Sequence, residues 1–300
     1  MTGKLKPDEP GTRGARRIAR RRVKSALEIL EGRGPTEHSV HAARKELKKA
    51  RATLRLVRDA LGTKTYKKEN AALRDAARPL SEVRDAQVLL KALQALIERF
   101  GAPASRLPLG KFQRALNLRR RESRATVLKK DGPVKSAQKT LKAVSSRSEH
   151  WHVGRRGWSV LGAGLKRTYS QGRRAFAQAR VKRNDESLHE WRKQIQHFAH
   201  QLQLFESLQA RPLAELLDQT HKLADLLGDD HDLSVLRERA IEARDAFPTT
   251  AAHSALIGLI DRCRTGLQVK ALRVGEPLYD EKPAEFTSRL GRYWHAWRDS

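Results

Sequence analysis

The sequence predicts an all-α fold, and three observations predict it. Apolar residues recur at spacings of three and four through almost the whole chain, while alternating apolar and polar runs rich in β-branched residues are nearly absent. Charged residues make up 32% and hydrophobic residues 39% of the 300 positions, a balance suited to long amphipathic helices around one large or two ordinary cores. Two motifs also recur in the same order about half a chain apart, which points to a duplicated helical unit.

The charge balance bounds the partners. Lys and Arg number 62 against 34 Asp and Glu, a formal charge of +28, which is more than solubility asks for and predicts anionic ligands. Cys263 is the one cysteine, so intramolecular disulfides and cysteine metal clusters are excluded, as suits a reducing compartment. The first ten residues carry Asp8, Glu9 and two prolines instead of the apolar stretch of a signal peptide, and read as a flexible N-terminus. No run of roughly 18 apolar residues occurs, so no membrane partner and a cytoplasmic location are expected.

Helix punctuation falls at Gly32 to Pro35, Gly62, Pro79, Gly101 to Pro108, Asp131 to Pro133, Arg211-Pro212, Gly228, Phe247-Pro248 and Gly275 to Pro277. These breaks separate about ten helices, and Gly154 to Gly164 opens a second half. The expectation is a single domain over 11–298 made of two repeats, about 11–150 and 155–298, related by a pseudo-twofold axis.

The repeat rests on two motif pairs. Ser39-Val-His41-Ala-Ala-Arg44-Lys45 matches Ser187-Leu-His189-Glu-Trp-Arg192-Lys193, with Leu54 and Leu56 answered by Leu202 and Leu204. Leu80-Ser-Glu-Val-Arg84-Asp85-Ala-Gln-Val88-Leu89 matches Leu227-Gly-Asp-Asp-His231-Asp232-Leu-Ser-Val235-Leu236. The first pair is offset by 148 positions, 189 less 41, and the second by 147, 232 less 85.

Taken in chain order, the first charged helix is Gly11 to Leu27, with Arg13, Arg16, Arg17, Arg20, Arg21, Arg22 and Lys24 and no acid. In the histidine helix that follows, Val40, Ala43, Leu47, Ala50, Leu54, Val57 and Leu61 form one apolar stripe. His41, Arg44, Lys48, Arg51, Arg55 and Arg58 repeat the spacing one residue later, about 100° round the helix, and Lys45 and Lys49 widen the strip. Like charges at this spacing cost the bare helix roughly 1 to 2 kcal/mol in total, so the row calls for a counter-ion.

Lys111 to Lys130 adds eight bases against Glu122, and Leu165 to Arg183 seven with no acid, whereas Glu206 to Asp245 is net acidic. Segregation of this kind implies a surface or channel for a ligand. The second histidine helix sets Leu188, Trp191, Ile195, Phe198, Leu202 and Phe205 on its apolar stripe. Its polar face is milder: His189, Arg192, Lys193, Gln196, His197 and His200 offer donors but fewer fixed charges. Histidines among cations are expected to stay neutral through like-charge repulsion. Trp151, Trp158, Trp294, Trp297 and Cys263 read as packing residues.

These paired His-x-x-Arg-Lys helices and paired Leu-x-x-x-x-Asp-x-x-Val-Leu segments resemble the CHAD family, the conserved histidine α-helical domain, over most of the chain. Leu165-Lys-Arg-Thr-Tyr169-Ser-Gln-Gly-Arg173-Arg174-Ala looks like that family's arginine-rich entry helix. The resemblance implies two helical bundles about a pseudo-twofold axis, a basic cleft or pore between them, and binding of inorganic polyphosphate, often at granules. By motif, His41, Arg44, Lys45, Lys48 and Arg51 carry over in the first half, and His189, Arg192 and Lys193 in the second. Arg167, Tyr169, Arg173 and Arg174 follow from the entry helix. Arg17, Arg20, Arg21, Arg55, Gln196, His197 and His200 complete the candidate contacts. Gln196 and Ala199 stand where this family has basic residues, and His200 where it has an aromatic, which lightens the second half's expected share of binding. Polyphosphate-metabolising or granule proteins are the implied protein partners.

Rival readings follow from the residues themselves. Nucleic acid would reward the same cation array as a competing polyanion, yet the stripes from His41 to Arg58 and Arg13 to Lys24 hold no aromatic platform. No helix-turn-helix, zinc-finger or RNA-recognition signature is present. Asp229-Asp230-His231-Asp232, near His221 and Asp225, superficially resembles the ligand set of a helical metal-dependent phosphohydrolase. Its repeat counterpart to His231 is Arg84, and acids after Gly228 suit a helix N-terminus. A phosphorylated His189 is a third reading, without the glycine loop that binds nucleotide. The expectation is a binding protein with no cofactor, no metal and no bond-making step.

Overall fold

Thr36 starts the first histidine helix. Its side chain accepts a hydrogen bond from Ser39 N at 3.1 Å, while the Ser39 hydroxyl closes the box on Thr36 N at 2.8 Å. Asn184 caps the second histidine helix in the same way, accepting from Ser187 N at 3.0 Å. In both, the N3 serine also donates to the cap carbonyl, at 3.0 and 2.9 Å.

The computed structural model describes residues 3–32, 35–129, 131–154 and 157–299, the side chains of 82–85 excepted. Among them the elements are α1 (Gly11–Glu31), α2 (Glu37–Leu56), α3 (Arg58–Leu61), α4 (Thr63–Ala77), α5 (Ser81–Phe100), α6 (Ala102–Ser105), α7 (Gly110–Val127) and α8 (Pro133–Ser148). There follow α9 (Trp158–Lys182), α10 (Asp185–Leu202), α11 (Arg211–Glu242), α12 (Thr250–Leu278) and α13 (Pro283–Asp299), with 3-10 turns at Gln203–Leu208 and Arg244–Ala246. No strand occurs among the described residues, so the all-α expectation holds. No helix there is long and apolar enough to cross a membrane.

Every member of both predicted apolar stripes is buried, from Val40 to Leu61 and from Leu188 to Phe205. Helices α1, α2, α4 and α8 pack in a ring, each touching its neighbours, and α9, α10 and α13 pack beside them through α2–α10 and α2–α9 contacts. This main core includes Leu47, Leu54, Trp191, Phe198 and Trp294. A second core joins α5, α7, α11 and α12 through Leu93, Phe112, Leu236 and Ile260. Trp151, Trp294 and Cys263 are buried and Trp158 and Trp297 pack on the main core, as expected of packing residues.

Gly164 sets the approach of α9 to α2, because a Cβ there would lie 2.0 Å from the Leu56 carbonyl oxygen. Pro79 marks the gap between α4 and α5, where the ring denies the helix a backbone donor.

Several boundaries differ from the sequence reading. The histidine helix does not run unbroken to Leu61; it stops at Leu56 and resumes as the single turn α3. Gly228 does not end a helix but lies inside the 32-residue α11, so the acids after it are not at an N-terminus. One helical glycine costs about 1 kcal/mol, less than is gained by burying Leu223, Leu227, Leu233 and Leu236 on either side of it. Gly275 to Pro277 likewise falls within α12, where Gly275 makes room for the Trp191 indole. Residues 3–10 are not a loose arm: Leu5 is buried, its N–H donates to Leu204 O at 3.0 Å and its carbonyl accepts from Ser207 Oγ at 2.9 Å.

Candidate functional site

The basic row of α2 is divided by what each side chain meets. Arg44 and Lys48 enter a cavity of about 390 Å³ together with Arg119 from α7, Arg192 from α10, and Arg239 and His231 from α11. Its lining has five Lys or Arg and one acid, Asp232. Arg44 is held from one side by a hydrogen bond from Nη2 to Ser81 Oγ at 2.9 Å, the first residue of α5. His41 lines an adjoining cavity of about 740 Å³ with Lys91, Arg99 and Asp229, and the two cavities share Val88 and Asp232 in their walls.

Further along α2 the cations turn toward other helices. Arg51 Nε donates to Asn70 Oδ1 on α4 at 3.1 Å, and Arg55 Nη2 to Gln171 Oε1 on α9 at 3.0 Å. Arg167 pairs with Asp59 at 2.8 Å. Burial lowers the pKa of Arg51, with Arg74 and Arg55 adding repulsion, and burial lowers that of Arg167 beside Arg58 and Arg55. These three guanidiniums therefore form a separate cationic cluster around the α2–α9–α10 junction.

The three α10 histidines and His231 are shifted toward the neutral form, with burial the first cause and the neighbouring charges the second. His197 is pushed down to about 3 by burial and then by Arg55 and Arg51, and His200 to about 4 by burial and then by Lys49 and Lys48. His231 falls to about 4 through burial and the charge of Arg192, and its ring centroid lies 5.0 Å from that of His189. His189 is lowered in the same direction by burial, Arg192 and Lys193. A polyanion laid here would supply the negative charge that lets these rings take protons.

Other candidates lie elsewhere. Lys45 and Lys193 are exposed, and Lys193 pairs with Glu190. Gln196 is half-buried on α10, while Ala199, where the resemblance leads one to expect a base, is buried in the helix packing. Tyr169 is not a surface contact: it is 1% exposed, stacked on Phe286 at 4.2 Å, with its hydroxyl 3.0 Å from the carbonyls of Leu278 and Glu281. Arg173 donates to Tyr279 O at 2.9 Å and Arg174 to Ser170 O at 3.4 Å, both on the exposed side of α9. Arg17, Arg20 and Arg21 line a different groove, between α1 and α8.

Arg119 and Arg239 were not nominated from sequence. The block Lys111 to Lys130 flagged the first, but nothing near either residue says which helix faces it. Within the Asp229 to Asp232 run, Asp230 accepts from Arg264 Nε at 3.2 Å and from Gln268 Nε2 at 2.9 Å. Among the described residues no group of three or more His, Cys, Asp or Glu could hold a metal ion. The Arg84 counterpart of His231 lies outside the described side chains.

No curated protein matches the chain. Solved structures resemble it, two of them as follows. PptA from Streptomyces chartreusis has a TM-score of 0.65 and 16% identity, covering 91% of this chain and 100% of its own. The crystal structure of the CHAD domain from the plant Ricinus communis has a TM-score of 0.56 and 14% identity, covering 98% of this chain and 94% of its own. At such identities these matches speak for the fold. A family model described as CHAD domain matches residues 15–240, about three quarters of the length, and on that match the chain belongs to the CHAD domain family.

Proposed function

We propose that this protein binds inorganic polyphosphate, with the central contacts made by Arg44, Lys48, Arg119, Arg192 and Arg239. The observation that carries the reading is that cations from four helices, far apart in sequence, converge on one cavity holding a single acid. Family membership supports it. A linear polymer with a charge on every repeating unit satisfies such an array by charge-assisted hydrogen bonds. Binding alone accounts for the site, with no bond-making step, in the cytoplasm or at polyphosphate granules.

The same reading includes two tandem repeats about a pseudo-twofold axis. It is supported by matched caps at Thr36 and Asn184, and by contacts of α2 with α10 and of α5 with α11. Elements touching their own counterparts are what a twofold relation produces. The basic cavity then lies where the two halves meet.

The test is a competition titration in which long-chain polyphosphate displaces labelled double- and single-stranded DNA at physiological salt, with affinities compared per phosphate. Polyphosphate is expected to win by orders of magnitude. Arg119→Gln and Arg239→Gln are each expected to flatten the salt dependence by about 0.7 in log-log slope, the single-strand value for one phosphate no longer neutralised. Equal or tighter binding of nucleic acid would replace this reading with a general polyanion binder.

A further inference from the structure

The α1 face turned away from α2 carries a feature that the central cavity does not use. Between α1 and α8 runs a groove of about 1060 Å³ lined by Arg13, Arg16, Arg17, Arg20, Arg21 and Lys24. From Arg13 to Lys24 this row covers eleven helical steps, about 16 Å of continuous basic surface. Ser25 on α1 and Ser145 and Ser148 on α8 add hydroxyl groups to its walls.

Three carboxylates, Glu9, Glu28 and Glu149, also line the groove, and each is met by one base. Glu9 pairs with Arg17 at 2.5 Å, Glu149 with Arg20 at 3.5 Å and Glu28 with Lys24 at 3.8 Å. Six bases less three acids leave a surplus of three, carried by Arg13, Arg16 and Arg21. Arg16 is aimed by a hydrogen bond to the Trp151 carbonyl, a neutral acceptor, at 2.7 Å. The Arg20 and Lys24 pairs are long and exposed, so a stronger anion displaces them at little cost.

None of the twelve lining residues lines either central cavity. Helix α1 packs on α2, tied by Arg22 to Glu46 at 2.9 Å, so the helix body separates the groove from the α2 site. The two basic surfaces thus face different solvent.

We propose that the α1–α8 groove is a second oligophosphate site, independent of the central one, so that one protein molecule bridges two polyphosphate chains or two stretches of one chain. This rests on the polyphosphate reading above. It makes the protein a cross-linker of the polymer as well as a ligand for it.

Calorimetric titration with tripolyphosphate, too short to reach both sites, is expected to give two equivalents for the wild-type protein. The triple variant Arg13→Gln, Arg21→Gln, Lys24→Gln alters exposed side chains only. It should melt like the wild type and bind one equivalent with central affinity unchanged. With long-chain polyphosphate, the wild type should give turbid cross-linked assemblies and the variant soluble complexes. One equivalent for both proteins, or equal turbidity, overturns the second site while leaving the central reading intact. No uptake by the wild type removes both. If the variant loses binding to phosphatidylserine vesicles but keeps two tripolyphosphate equivalents, the groove is a membrane contact and the proposal falls.

Discussion

Lowering the pH should destabilise the unliganded protein well before its carboxylates titrate, because two histidines are folded among cations. His197 falls from an ordinary 6.5 to about 3, and His200 from 6.5 to about 4. Below the unfolded value the unfolded chain takes up a proton that the folded one refuses, so stability is full above pH 6.5 and declines through the window down to about 4. Each pH unit in that window is worth about 1.4 kcal/mol per histidine, or about 2 kcal/mol apiece by pH 5. Both residues are half-buried, so the pair is expected to lose about 3 kcal/mol together rather than 4. The assay is urea unfolding at pH 7.5 and about pH 5, for the wild type and for His197→Gln/His200→Gln; the comparison cancels what the remaining groups contribute. The double variant should lose the share these two rings carry, while His231 and His189 keep theirs. Parallel curves for the two proteins would refute the claim that these histidines are held neutral by their surroundings.

Two further perturbations probe the frame. Arg264 lies between Asp230 and Asp185 with 8% exposure, and Arg264→Ala, which strands the buried Asp230 carboxylate, should cost about 3–5 kcal/mol by chemical denaturation. A loss under 1 kcal/mol would mean that water replaces the guanidinium freely. Gly164→Ala, which drives a methyl into the Leu56 carbonyl, should cost about 1–3 kcal/mol. Gly258→Ala in α12, with nothing within 4 Å of the added Cβ, should instead gain up to about 1 kcal/mol. If both move the melting temperature the same way, helix proximity at Gly164 is not what requires glycine.

What the sequence disclosed was whatever a single helix determines for itself. The stripes through Leu47 and Ile195 were legible because burial repeats every three to four residues, and Thr36 and Asn184 because a cap acts on its own turn. Tyr169 was misjudged because its neighbours in sequence are arginines, while its neighbours in space, Phe286 and Tyr279, lie over a hundred residues away. Arg119 and Arg239 were missed for the converse reason: only the packing of α5 between α7 and α11 turns them into one cavity. Gly228 and Gly275 looked like stops because isolated-helix propensities do not include the burial that carries α11 and α12 through them.

Helix α11 spans both cores, with Leu217 and Leu223 in one and Leu236 and Ala240 in the other. On the other wall the same reach is divided between α4 and α5, with Arg78 to Leu80 between them. The two lobes are thus joined by an unbroken splint on one side and a jointed strut on the other. The splint transmits the melting of either lobe to its neighbour and so couples them into one cooperative unit. The joint lies beside Ser81, the partner of Arg44.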